Sequence, residues 1–251
     1  PGYWSLWNAS LETPWVDAAD VLDQGGVIVC DKADDDCQRL AEAWSADRRE
    51  LQVVPIDGDF DGHTYSELGA AWWQWATSLP VGQHPLVPDS KAGCEAGQQG
   101  SIWFLGGAFS NEPSLQYDLS RGCSVPRGTA LFFPIINYAI TSVPDGKDSE
   151  AVLRKKVNDT LAPVKDLYAE LDKIPVDDLH SYRENSVPFP INAVADGIFL
   201  PGPHKLAVDG GFYLLVEPPS PGKHTISFRG SVPLSPSELF TLNVRYTIYV
   251  E

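Results

Sequence analysis

The last strand-like stretch constrains the fold most: Phe240, Leu242, Val244, Tyr246, Ile248 and Val250 alternate with polar residues over eleven positions. A repeat of two puts all six side chains on one face of a β-strand, and no helix can present them together. Two shorter runs precede it. Phe212, Leu214 and Val216 alternate, the stretch Pro218 to Gly222 reads as a turn, and His224, Ile226 and Phe228 alternate again, so the C-terminal 55 or so residues read as antiparallel β-structure. Upstream, Ile102-Trp103-Phe104-Leu105 and Ala130-Leu131-Phe132-Phe133 are continuous apolar runs flanked by Gly and Pro. That is the pattern of strands covered on both faces.

Two helical stretches interrupt this β-pattern. Between His63 and Pro80 lie three of the eight tryptophans. Thr64 and Glu67 form an S/T-x-x-E capping box there, and Pro80 supplies the stop. Tyr65, Leu68, Trp72, Trp75 and Leu79 then share one face and read as core, whereas Trp73 and Gln74 fall off it and are left free for another role. A second stripe, Leu153, Val157, Leu161, Val164, Tyr168 and Leu171, predicts a helix near 149–172, kinked or split at Pro163. Helices segregated from a run of antiparallel strands indicate a mainly β protein, an antiparallel β-sandwich of the jelly-roll kind with helical insertions near 64–79 and 149–172. The expected organisation is an acidic N-terminal arm over 1–62 and a sandwich body over 63–251. In the arm, Val27-Ile28-Val29 reads as a strand and Asp34 to Ala46 as a helix.

Charge and cysteines bound the partners and the compartment. The formal net charge is −16, and residues 1–62 hold 14 acids against 4 bases, so −10 of it lies in the first quarter. Phosphate binding needs clustered Lys and Arg, so nucleic acid is not an expected partner. No apolar run reaches the roughly 18 residues of a membrane-spanning helix. Methionine is absent even at position 1, which suggests a processed chain whose signal peptide has been removed. Four cysteines without a C-x-x-C pair favour two disulfides, and the spacing suggests Cys30 with Cys37 and Cys94 with Cys123, with free buried thiols as the alternative. Asn8-Ala9-Ser10 and Asn158-Asp159-Thr160 are glycosylation acceptor sequons compatible with export. The expected location is secreted or cell surface.

Several phrases together carry a family resemblance: WWQW at 72–75, CEAGQQGSIWFLGG from Cys94, CSVPRGTALFFPIIN from Cys123, ADGIFL from Ala195 and PGKHTISFRG from Pro221. They resemble a family of secreted microbial proteins of unassigned function, over about residues 63–250. The resemblance implies export, a Cys94–Cys123 pairing and a β-rich body. It supplies no catalytic residue.

Chemical candidates are sparse. Asp57-Gly58-Asp59-Phe60-Asp61-Gly62 matches the start of a D-x-D-x-D-G calcium loop, but Leu68 stands at the twelfth position where a bidentate acid belongs. An acidic turn before a helix explains the stretch as well, and Asp57, Asp59 and Asp61 remain a looser calcium set in a chain for which no cofactor is required. The five histidines show no local zinc spacing. His63, between Asp61 and Tyr65, is the best acid–base candidate, with Glu67 beside it, yet closeness in sequence says little about geometry. No G-x-S-x-G elbow, phosphate loop or G-x-G-x-x-G occurs. Trp4, Trp7, Trp15 and Trp73 are candidate stacking platforms for a glycan, set against plain packing. The leading expectation is a non-enzymatic secreted binding or assembly protein that self-associates or contacts a glycan; the alternative is an extracellular enzyme acting on polysaccharide or another polymer.

Overall fold

The computed structural model describes residues 51–88, 90–109, 115–142 and 148–251. The candidate residues Trp4, Trp7, Trp15, Cys30 and Cys37, and the strand and helix expected within the first 50 residues, lie outside the described residues.

The described chain builds a β-sandwich. Its first sheet contains β3 (Ile102–Phe104), β5 (Ala130–Thr141) and β10 (Gly202–Val216), with β8 (Arg183–Asn185) and β9 (Phe189–Ala193) both on the far side of β10. The second sheet runs β4 (Gln116–Val125), β12 (Glu238–Val250), β11 (Gly222–Ser235), β6 (Lys165–Leu171) and β7 (Ile174–Pro175). Most neighbours are antiparallel, while β3 with β5 and β4 with β12 are parallel. A small hairpin of β1 (Asp59–Phe60) and β2 (His63–Thr64) leads into helix α1 (Tyr65–Thr77).

The alternation that was legible in sequence decides what each sheet buries. Leu242, Val244, Tyr246, Ile248 and Val250 of β12 face Ile226 and Phe228 of β11 and Leu131, Phe133, Leu214 and Val216 of the opposite sheet in one intersheet core. The other parity of β10, Ala207, Tyr213 and Leu215, joins Phe132 under α1 in a second core that holds Trp72, Trp73 and Trp75. A helix therefore covers one sheet, which in turn packs on the other. The runs at 102–105 and 130–133 are covered on both sides as expected, and Ala130 through Phe133 have no exposed surface. The ladder between β5 and β10 skips Ile135. Pro134 beside it has no N–H to give to the ladder, which suits a bulge, and Ile135 and Ile136 both enter the intersheet core.

Two expectations about extent are corrected. Helix α2 spans only Glu150–Leu161, and Lys165–Leu171, expected as its continuation, is strand β6. Pro163 ends the helix outright, and the apparent 3–4 spacing beyond it arises because Ala169 and Leu171 point inward on a strand while Tyr168 lies beneath Arg229. The body also begins before residue 63. Val54 donates to the Leu215 carbonyl, Glu217 donates to the Gln52 carbonyl, and Val54, Ile56 and Phe60 pack in the core under α1. The compact unit runs from Glu50 to Glu251.

Candidate binding site

Helix α1 starts as its sequence dictates. Thr64 Oγ1 accepts from the Glu67 amide while Glu67 Oε2 accepts from the Thr64 amide at 3.0 Å. Those bonds hold the Glu67 carboxyl below its ordinary range, the Thr64 amide contributing most. Glu67 is therefore a cap, and His63 beside it is exposed on the small hairpin. The two candidate acid–base residues are both exposed.

The aspartates before the helix are likewise structural. Asp59 Oδ1 accepts from the Gly62 amide at 3.0 Å and Asp61 Oδ2 from the Ser101 hydroxyl at 2.6 Å. No group of three acidic, His or Cys side chains suited to a metal ion occurs among the described residues. Asp59 thus closes a turn and Asp61 ties down a loop, and the three aspartates form no such group.

Trp73, expected to be free, is 7% exposed. Its indole N–H donates to Asp209 Oδ1 at 2.7 Å, across 136 residues of sequence. Asp209 itself has no exposed surface and also accepts from the Tyr213 hydroxyl. Burial pushes its carboxyl up to about 7, against the lowering effects of Tyr213, Trp73, the Gly210 amide and Arg154. Two glycines make room for this cluster. A Cβ on Gly69 of α1 would stand 3.0 Å from Asp209 Oδ2, and one on Gly211 would stand 2.7 Å from both Asn137 Cβ and Tyr213 Cζ. Burial and the neighbouring Asp209 raise the Tyr213 phenol well above its usual range, while the Asn137 amide acts in the opposite sense.

Beside this cluster opens a cavity of about 260 Å³. Trp72, Trp73 and Phe109, Asn137 and Tyr138 of β5, and Phe240 with Leu242 of β12 are among the residues that line it. Among the described residues its walls carry no Asp, Glu, His, Lys or Arg. Both indole N–H groups are used elsewhere, Trp72 on the Leu105 carbonyl at 2.7 Å and Trp73 on Asp209, so the rings offer only carbon to the cavity. Leu234 and Leu239 lie exposed on the β11–β12 hairpin, and Leu234 also lines the cavity.

A second opening of about 280 Å³ is more polar and includes Ser90, Cys94, Ser120 and Arg121. Arg121 Nη1 donates to the Gly106 and Gly107 carbonyls at 3.0 and 2.6 Å, which makes it a clamp on the 106–107 loop. Nearby His84 is wholly buried. Its Nδ1 accepts from the Leu86 amide and its Nε2 meets the Ala76 carbonyl at 3.0 Å. That arrangement fixes the neutral tautomer, and burial lowers its pKa to about 4. Cys94 and Cys123 form a disulfide that closes a 29-residue separation at the rim of this opening. Asn158 of the second sequon lies within α2 and accepts from Arg183 at 3.0 Å.

Sequence reading missed Asn137, Asp209, Tyr213 and His84. The one available signal was an aspartate followed by two glycines inside an apolar strand, Asp209-Gly210-Gly211. A charge there must be buried and partnered, and the glycines mark close approach from both sides.

No family model matches this chain, and no curated protein matches it. Among solved structures, a cysteine protease inhibitor from Entamoeba histolytica aligns with 60% of this chain and 96% of its own, at 9% identity and a TM-score of 0.21. At that score the likeness bears on neither fold nor function.

Proposed function

We propose that this chain is a secreted or cell-surface binding protein of the microbial family its motifs resemble, working by recognition without catalysis in an oxidising compartment. One observation carries the reading: the candidate ionisable groups are committed to internal structure, while the described walls of the aromatic-lined opening are mostly apolar. Asp209 is sealed under Trp73 and Tyr213, His84 is held neutral by two backbone groups, Glu67 caps a helix and Arg121 clamps a loop. Acid–base chemistry needs such groups converging within reach of a substrate. The Cys94–Cys123 disulfide supports an oxidising compartment, and no helix among the described residues is long and apolar enough to cross a membrane.

Partner contact is assigned to the N-terminal segment, where Trp4, Trp7 and Trp15 stand in the most acidic part of the chain. A second copy of this chain or a glycan is the proposed partner. Light scattering after size exclusion, with adhesion to immobilised polysaccharide, should show association by the full chain that weakens on deletion of residues 1–24. Release of reducing ends from the polysaccharide would establish the alternative, an enzyme acting on polymers. A strictly monomeric, non-adherent full chain would refute the assembly reading.

A further inference from the structure

Among the described strands, β4 is the longest that stands at a sheet edge, and its backbone shows which groups that edge presents. In a parallel pair each residue turns its N–H and C=O to the same side, and successive residues turn to opposite sides. The Leu115 and Val125 carbonyls accept from the Thr241 and Glu251 amides at 2.8 and 3.2 Å, and the register of β4 with β12 between them is unbroken. Odd-numbered residues of β4 therefore face β12, while Asp118, Ser120, Gly122 and Ser124 turn N–H and C=O outward. No backbone partner for these four occurs among the described residues. Such a row of donors and acceptors is a template for another strand.

The same edge borders the opening of about 280 Å³, which Ser120 and Gly122 line together with Leu86, Val87 and Leu119. Arg121, between them, also lines it. Its side chain lies on the inner face with Tyr246, the Cζ standing 5.8 Å from that ring's centroid. Nη1 is taken by the Gly106 and Gly107 carbonyls, and Nη2 stands 3.5 Å from the Leu86 carbonyl. Carbonyl oxygens satisfy hydrogen bonds without cancelling the charge, and Arg121 enters none of the ion pairs among the described residues. A strand edge and an uncompensated cation therefore meet at one opening.

The occupant follows from the two together. Donors and acceptors spaced at the strand repeat are matched by another extended backbone, and alternate side chains of a strand laid there share the face of Arg121. A cavity of about 150 Å³ holds benzene, so one of about 280 Å³ has room for those inward side chains. The one beside Arg121 is best an acid, and its neighbours two positions away meet the apolar Leu86, Val87 and Leu119. We propose that the β4 edge and the opening beside it bind an extended peptide segment of a protein partner, its backbone paired with Ser120 and Gly122 and an acidic side chain set toward Arg121. The inference adds a peptide site to the binding function above and does not depend on the N-terminal segment.

The test is fluorescence anisotropy of the full chain with the dye-labelled peptide Val-Thr-Glu-Thr-Val, its analogues with Gln or Lys in place of Glu, and a Glu peptide N-methylated at the three central amides. The native protein should bind the Glu peptide about two- to fivefold more tightly than the Gln peptide, the worth of one partly exposed ion pair, and the Lys peptide least. N-methylation removes the backbone donors and should weaken binding by roughly tenfold or more. Gly122→Pro removes an outward N–H and costs the β12 ladder nothing, and a side chain at that position meets no atom within 4 Å. It should match the native protein in urea unfolding and lose the Glu peptide. Should it fail to fold, Ser120→Pro makes the same comparison. No binding of the Glu peptide at about 1 mM overturns the site, and binding that survives N-methylation overturns the backbone pairing. Equal affinity for the Glu and Lys peptides overturns the role of Arg121, and undiminished binding by the proline variant overturns the placement on β4. Each of these results leaves the assembly reading standing, since that is decided by light scattering on the 1–24 deletion.

Discussion

Asp209 should make the stability of this protein fall as pH rises, and Asp209→Asn should remove that fall. The folded carboxyl titrates at about 7 against an ordinary 3.8, so between those values the unfolded chain releases a proton that the folded chain keeps. The folded state then binds more protons than the unfolded one, and unfolding free energy declines with pH until the folded carboxyl also ionises, near 7, after which it levels. At 1.36 kcal/mol per unit, raising the pH from 4.5 to 8 should cost about 3–4 kcal/mol through this group alone. Asn is the appropriate replacement because its oxygen can accept from Trp73 while its NH₂ donates to the Tyr213 oxygen, whose hydroxyl is free to rotate. Equilibrium urea unfolding at pH 4.5 and pH 8, followed by tryptophan fluorescence, measures both proteins. Other titrating groups are common to the two and largely cancel in the difference. The variant should gain on the native protein by about 3–4 kcal/mol between the two pH values. Parallel pH profiles would mean that Asp209 is not buried as a titrating acid, and the account of the cluster would fail.

The tryptophan helix should respond at all three positions: Trp72→Ala, Trp75→Ala and Trp73→Ala should each lose about 3–5 kcal/mol in chemical denaturation, and a small loss at Trp73 would contradict its burial against Asp209. Iodoacetamide without reductant should leave Cys94 and Cys123 unlabelled by mass spectrometry, and Cys94→Ser with Cys123→Ser should lower stability by about 3–4 kcal/mol for a loop of this length. The His224–Asp172 pair, 2.7 Å apart, offers a second pH signature. Burial pulls the His224 pKa down, but Asp172 and the Ser220 carbonyl outweigh it and leave it raised. Its stabilisation is therefore complete below the unfolded value near 6.5 and is lost as pH rises through the folded value. The stability difference between native protein and His224→Gln should shrink above that point, and a difference constant from pH 5 to pH 9 would refute the pairing.

Local pattern carried most of the architecture. The parity of Phe240 to Val250, the double-sided runs at 102–105 and 130–133, and the Thr64–Glu67 box each depend on neighbours within a few positions, and each stands in the structure where the sequence placed it. Where two periods overlap, local pattern misleads. Val164, Tyr168 and Leu171 satisfy a helical spacing, yet Pro163 removes the hydrogen bond that would carry the helix through them, and Tyr168 and Leu171 become strand. Trp73 shows the same limit on a helix whose start, end and core stripe were all legible: its burial depends on what lies above the off-stripe face, and Phe109 and Phe199 arrive there from remote segments.

The sequence by itself determined the layers, because alternation and capping are short-range constraints that any compact fold of this chain must obey. The binding site was decided only in three dimensions. Trp73 is 136 positions from Asp209, Asn137 meets Gly211 across a strand pair, and the cavity closes only when β12 lies opposite β5. No spacing rule spans such separations.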